Sequence, residues 1–126
     1  MVKSYRDLVL WGVAVDFIKD VYRLTKVFPQ DEKYGLVQQM RRAAVSIVSN
    51  LAEGSARKNT KELIQFLYIS LGSLAEVEAQ LFLAQELGFI DDIVAIQEKT
   101  ERLRALMLGL VRALRARGTC NVERGT

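Results

Sequence analysis

Apolar side chains along this chain recur at alternating steps of three and four, the spacing that puts them on one face of an α-helix. Between about Asp7 and Val27, one stripe runs through Leu8, Trp11, Val15, Ile18, Tyr22 and Thr25. A second runs beside it through Leu10, Ala14, Phe17, Val21, Leu24 and Phe28. Together they are wider than one bundle core needs, which predicts a stripe left over for another subunit. The polar remainder is a thin strip through Asp16, Lys19, Asp20, Arg23 and Lys26. Phe28-Pro29 ends this helix, because the residue before proline avoids helical geometry.

The same period predicts three more helices. The second covers about 35–53, with Val37, Met40, Ala44, Ile47 and Leu51 inward. It stops at Gly54-Ser55, where glycine can adopt the left-handed cap conformation. The third covers about 60–87, opening on a capping box made by Asn59 and Glu62. Its stripe is Leu63, Leu67, Ser70, Leu74, Val77, Leu81 and Ala84, and Gly88 closes it. The fourth covers about 91–117: Asp91 and Asp92 suit its start, Ile96, Leu103, Leu106, Leu110 and Leu114 face inward, and Gly118 stops it. No strand-like alternation and no long repeat is found. The expected fold is therefore all-α, an up-down-up-down antiparallel four-helix bundle over residues 1–118, with a flexible tail at 119–126.

Composition adjusts this picture only slightly. One domain fits 126 residues, and a single proline among half-hydrophobic residues favours long helices. A mean hydropathy of +0.09 is high for a small bundle and again hints at a covered apolar face. The longest apolar run, Val9 to Val15, is too short to span a bilayer, so no membrane association is expected. The first residues show no signal-peptide core, and the lone Cys120 forms no internal disulfide, so the expected location is cytoplasmic.

The search for chemistry returns little. There is no histidine, which removes the commonest general base and metal ligand. No glycine loop for phosphate is present, and Ser46, Ser49, Ser70 and Ser73 lack a neighbouring base, reading instead as small residues at helix contacts. The expectation is a protein that is no enzyme, with no metal, cofactor or small-molecule substrate.

Charge says more. In the expected topology one bundle end gathers Lys3, Arg6, Arg57, Lys58, Lys61, Arg112, Arg115, Arg117 and Arg124 against four carboxylates. The other end is net acidic, through Asp31, Glu32, Glu86, Asp91 and Asp92. Two readings stay open for the basic end. The cations complement the dipole of the fourth helix and solubilise the chain; or Arg57, Lys58, Lys61, Arg112, Arg115 and Arg117 form a site for nucleic-acid phosphates beside the free amides of the third helix. No aromatic residue except Tyr5 is expected to be interleaved with this basic cluster, which favours backbone contact over base stacking.

A longer pattern is Phe28-Pro29, Glu32, Tyr34-Gly35-Leu36, the run Gln39 to Ile47 containing Arg41-Arg42-Ala43-Ala44, and Asn50-Leu51-Ala52-Glu53-Gly54. Arg57, Phe66-Leu67, Gly72-Ser73 and Glu76 continue it. This resembles the four helix bundle protein family, also called the 23S rRNA intervening sequence protein, over roughly two thirds of the chain. The resemblance implies a homopentamer encoded in some bacteria inside an insertion in the large-subunit rRNA gene. It also implies a distant likeness to the accessory protein of diversity-generating retroelements, a basic pentamer that binds nucleic acid and a reverse transcriptase. The family motif residues Arg41, Arg42, Asn50, Glu53 and Glu76 form either a shared site or, the preferred reading, a structural polar network, with Glu76 reaching Arg42 or its neighbours across antiparallel helices.

The resulting expectation is a non-catalytic, oligomeric protein binding nucleic acid, RNA above all, or an accessory of a ribonucleoprotein, with RNA or a reverse transcriptase as partner. The alternative is a protein-interaction scaffold with no nucleic-acid role.

Overall fold

A computed structural model of the protein describes the backbone of residues 8–125 and the side chains of residues 8–117. Four α-helices follow one another: α1 (Val9–Thr25), α2 (Leu36–Ser55), α3 (Thr60–Glu86) and α4 (Val94–Gly125), with one 3-10 turn at Gln30–Glu32. Each helix packs on its chain neighbours and α1 packs on α4, while the diagonal pairs do not meet. This ring of neighbours is an up-down-up-down bundle, as the periodicity predicts.

The core is one continuous cluster from all four helices. On α1 it takes the stripe of Leu10, Ala14, Phe17 and Val21, and Leu8 and Ile18 of the other stripe are half-buried against it. Trp11 and Val15 of that second stripe are half-buried outside the cluster and Tyr22 is exposed, so part of the stripe stays uncovered. Exposed apolar side chains are spread over the bundle: Val9 and Tyr22 on α1, Val45 on α2, Ile69, Phe82 and Leu83 on α3, and Val94 on α4. Helix α3 is also long and apolar enough to cross a membrane, with a third of its most apolar window buried in the bundle. Glu76 and Glu78 interrupt that window, which is why a search for unbroken apolar runs passes over it. On α4 the inward positions are Ile96, Thr100, Leu103, Met107, Val111 and Leu114, while Leu106 and Leu110 are only half-buried. Choosing leucine at each turn shifted the expected stripe by one residue toward the helix flank.

The helix ends follow local chemistry. Asn59 accepts from the Glu62 amide at 2.8 Å, the first half of the expected capping box. Asp92 accepts from the Val94 amide at 2.9 Å, so α4 starts just after the predicted acids. Gly88 has φ +79°; its amide reaches the Gln85 carbonyl at 3.0 Å, and the Phe89 amide reaches that of Ala84 at 2.9 Å. That reciprocal pair closes α3 in the left-handed turn glycine permits. Gly54, by contrast, stays helical inside α2. A β-carbon there would lie 2.8 Å from Cβ of Phe66, so glycine serves close helix approach. Helix α4 also continues past Gly118 to Gly125 where a loose tail is expected, since no proline follows to break it.

Candidate nucleic-acid interface

The topology brings the end of α2, the start of α3 and residues 110–117 of α4 to one end of the bundle. There the α2–α3 connection is a tight turn, with the Ala56 amide on the Ala52 and Glu53 carbonyls and the Arg57 amide on Gly54, at 3.1–3.2 Å. The turn leaves Arg57 and Lys58 beside the first amides of α3, which have no intrahelical acceptor. Arg57, Lys58 and Arg117 rim a cavity of about 340 Å³ whose floor includes Leu51, Leu67 and Leu114. Lys61, Arg112 and Arg115 are exposed nearby but do not line it. The six predicted contacts thus share an end without sharing one pocket. Lys3, Tyr5 and Arg6 lie outside the described residues, and the side chain of Arg124 lies outside the described side chains.

Two of these arginines have local partners. Arg57 pairs with Glu53 at 3.1 Å and its guanidinium sits 5.0 Å from the Phe66 ring centroid. The Arg115 guanidinium sits 5.4 Å from the ring of Tyr68, itself 43% exposed. Aromatic rings are therefore interleaved with the basic end. Sequence order hides this, because α3 delivers both rings from one to two turns beyond the basic connection.

The acidic end is arranged differently. Glu32 accepts from the Leu36 amide at 3.2 Å and Asp92 caps α4, so carboxylates there hold helix starts. The α2 last turn carries no cation, and Arg112, Arg115 and Arg117 come well before the end of α4. Helix-dipole complementation explains the acidic end better than the basic one.

The five motif residues of the expected polar network fall into separate groups. Arg41 donates to Thr25 Oγ1 at 2.9 Å and to the Tyr22 carbonyl at 3.3 Å, with its guanidinium 4.6 Å from the Tyr22 ring. Asn50 donates to the Ser46 carbonyl at 2.8 Å and to its hydroxyl at 3.0 Å, and Ser46 bonds Ser73 at 2.9 Å across to α3. Glu53 pairs with Arg57, and Glu76 accepts from Gln80 one turn away at 3.5 Å. Arg42 is exposed; its partner is the Gln38 amide oxygen at 3.2 Å, in the orientation that also lets the Gln38 nitrogen donate to the Tyr34 carbonyl. Arg42 and Glu76 do not meet within the chain. Arg41 and Arg42 instead line an open groove of about 650 Å³ on the outer face of α2, with Tyr22, Lys33, Tyr34 and Ser49.

A cluster outside the predicted set joins α1 to α4. Lys99 bridges Asp16 at 2.9 Å and Asp20 at 2.5 Å, and Arg23 adds a second contact to Asp20 at 2.6 Å. Asp20 is only 7% exposed, although the pattern put it on the solvent strip. The hydrogen bond from Lys99, then its charge, holds the Asp16 carboxyl below its ordinary value. Hydrogen bonds to Asp20 and Asp16 hold Lys99 above its own. Arg104 likewise ties α4 to α3, pairing with Glu78 at 2.5 Å and with Glu101. Among the described residues no group of three or more acidic, cysteine or histidine side chains is placed to hold a metal.

These helices, their motif and their basic end can be set beside known proteins. No curated protein matches the chain. Residues 6–109 match the family described as 23S rRNA-intervening sequence protein, and the chain belongs to that family.

Proposed function

We propose that this protein is a non-catalytic, cytoplasmic homo-oligomer that binds RNA, or serves a ribonucleoprotein, by gripping phosphates with its basic bundle end. The observation that carries the reading is the gathering of Arg57, Lys58 and Arg117 around one cavity beside the start of α3, with Lys61, Arg112 and Arg115 flanking it. Cations at that position meet phosphate together with the first-turn amides that Asn59 does not cap. The family name points to an RNA context. The pentameric count follows the family resemblance, and exposed apolar side chains, Tyr22 on α1 and Ile69, Phe82 and Leu83 on α3 among them, are there for copies to cover.

RNA binding measured over a salt series tests this. Binding should fall linearly on a log–log plot, with a slope of about −0.7 for each phosphate neutralised on single strands. Reversing Arg57, Lys58 and Lys61 to glutamate should weaken it by orders of magnitude while changing stability by less than about 1 kcal/mol. Reversing the exposed Lys19 and Lys26 is the control; Arg23 is left alone because it pairs with Asp20. Equal losses from both variants would reduce the binding to diffuse charge attraction.

The scaffold reading draws on the exposed apolar side chains or the acidic end: a different protein would cover them, and RNA would play no part. Absence of RNA binding by the wild-type protein at low salt, with a single-chain mass in sedimentation, would move the assignment there.

A further inference from the structure

The groove on the outer face of α2 lies apart from the basic-end cavity, and no residue lines both. Its chemistry also differs. It combines cations, Lys33, Arg41 and Arg42, with two tyrosine rings, and no carboxylate is among its lining residues. Each ring already lies near a cation: Arg41 is 4.6 Å from the Tyr22 centroid and Lys33 Nζ is 5.5 Å from that of Tyr34. Tyr34 is 81% exposed and therefore offers ring surface to solvent. Arg41 is half-spent on Thr25 and the Tyr22 carbonyl, which fixes its direction, whereas Arg42 is exposed with one amide partner.

We infer that this groove holds unpaired nucleotides of single-stranded RNA, with bases against the Tyr34 and Tyr22 rings and phosphates on Arg42 and Arg41. The ligand must be anionic, because the lining carries positive charge alone. An acidic peptide would use the cations and leave the ring faces idle. A duplex presents phosphates but keeps its bases stacked within itself. A single strand uses both groups, since every base has a face to stack and a phosphate beside it. The inference shares the RNA ligand with the reading above but does not depend on the basic end.

The test uses a fluorescently labelled single-stranded RNA oligonucleotide and the same strand annealed into a duplex, titrated with the full-length protein. Tyr34→Ala should weaken single-strand binding at least about fivefold. Tyr34→Phe, which keeps the ring, should bind as wild type. Arg42→Gln should weaken binding and flatten the salt slope by about 0.7. Duplex affinity should be indifferent to Tyr34→Ala. Single-strand binding by Tyr34→Ala equal to wild type, or an equal loss for the duplex, overturns the inference. If only the Arg57, Lys58 and Lys61 reversal matters, the groove fails and the basic end stands. If that reversal abolishes duplex binding while single-strand binding still depends on Tyr34, the groove is supported independently. Should the reversal change nothing while Tyr34→Ala does, the basic end fails and the groove stands. Both tyrosine variants alter an exposed side chain, and a melting curve matching wild type verifies the fold.

Discussion

The α2–α3 interface and the α1–α4 interface solve the same packing problem by different means. Between α2 and α3, small side chains let the backbones approach: Gly54 lies under Phe66, the buried Ser70 donates to the Ile47 carbonyl at 2.9 Å, and Ser46 meets Ser73. Between α1 and α4, long charged side chains span the gap, with Lys99 gripping Asp16 and Asp20. The first pair is close-packed at Gly54 and buried at Ser70. The second is partly wet, since Lys99 is 42% exposed, and so answers to salt and pH. The basic turn is carried by the tight pair, which gives it a rigid platform, whereas the groove lies between α2 and Tyr22, Lys33 and Tyr34 of α1 and its connection.

The largest effect on this contrast should come from Gly54→Ala. Its new methyl group would press on the Cβ of Phe66, which is fixed to backbone and cannot swing away. A loss of about 1–3 kcal/mol in urea unfolding is expected. Gly72→Ala on the outer face of α3 meets open space and should be neutral or slightly stabilising. Equal stability of the two variants would mean that α2 and α3 have slack after all.

A smaller effect is expected from Lys99→Ala, because Arg23 still pairs with Asp20 and the lysine is partly solvated. Its pH dependence sharpens the contrast. Asp16, lowered by its hydrogen bond to Lys99, contributes fully above its ordinary value of 3.8, and the contribution is lost as pH falls through the lowered one. Lys99, raised by its bonds to Asp20 and Asp16, contributes fully below 10.5 and ceases to do so as pH rises through the raised value. The stability difference between wild type and Lys99→Ala should therefore be flat at intermediate pH and shrink at both extremes. A difference independent of pH would show that Lys99 acts through its aliphatic stem.

Much of the fold was legible because its signals are local. Asn59 and Glu62 mark a helix start, Gly88 marks a stop, and the stripes of α2 and α3 match the buried positions almost residue for residue. Other features were illegible because they depend on distant partners. Asp20 looks like a solvent residue until Lys99 arrives from the far helix. Arg42 and Glu76 are a plausible antiparallel pair, but which faces the helices turn to each other is set by small-residue packing, and it separates them. Topology alone gathers the six basic residues at one end of the bundle, where Arg57, Lys58 and Arg117 line one cavity. Phe66 and Tyr68 among them, and the tyrosine-lined groove, needed the helices assembled.

The ion bridge between α1 and α4 closes the helix ring between residues far apart in the chain. Asp16 and Lys99 are 83 residues apart, whereas Ser70 and Ile47 are 23 apart. Closing the longer loop costs about 1 kcal/mol more chain entropy, so the central hairpin is the natural nucleus and the outer helices dock afterwards. Gly54→Ala should then slow refolding, while Lys99→Ala should leave refolding unchanged and speed unfolding, as the two arms of a chevron plot would record. Both variants affecting the same arm would mean that the four helices condense together. In the expected order, the seam between α1 and α4 is the last contact made and the first to part.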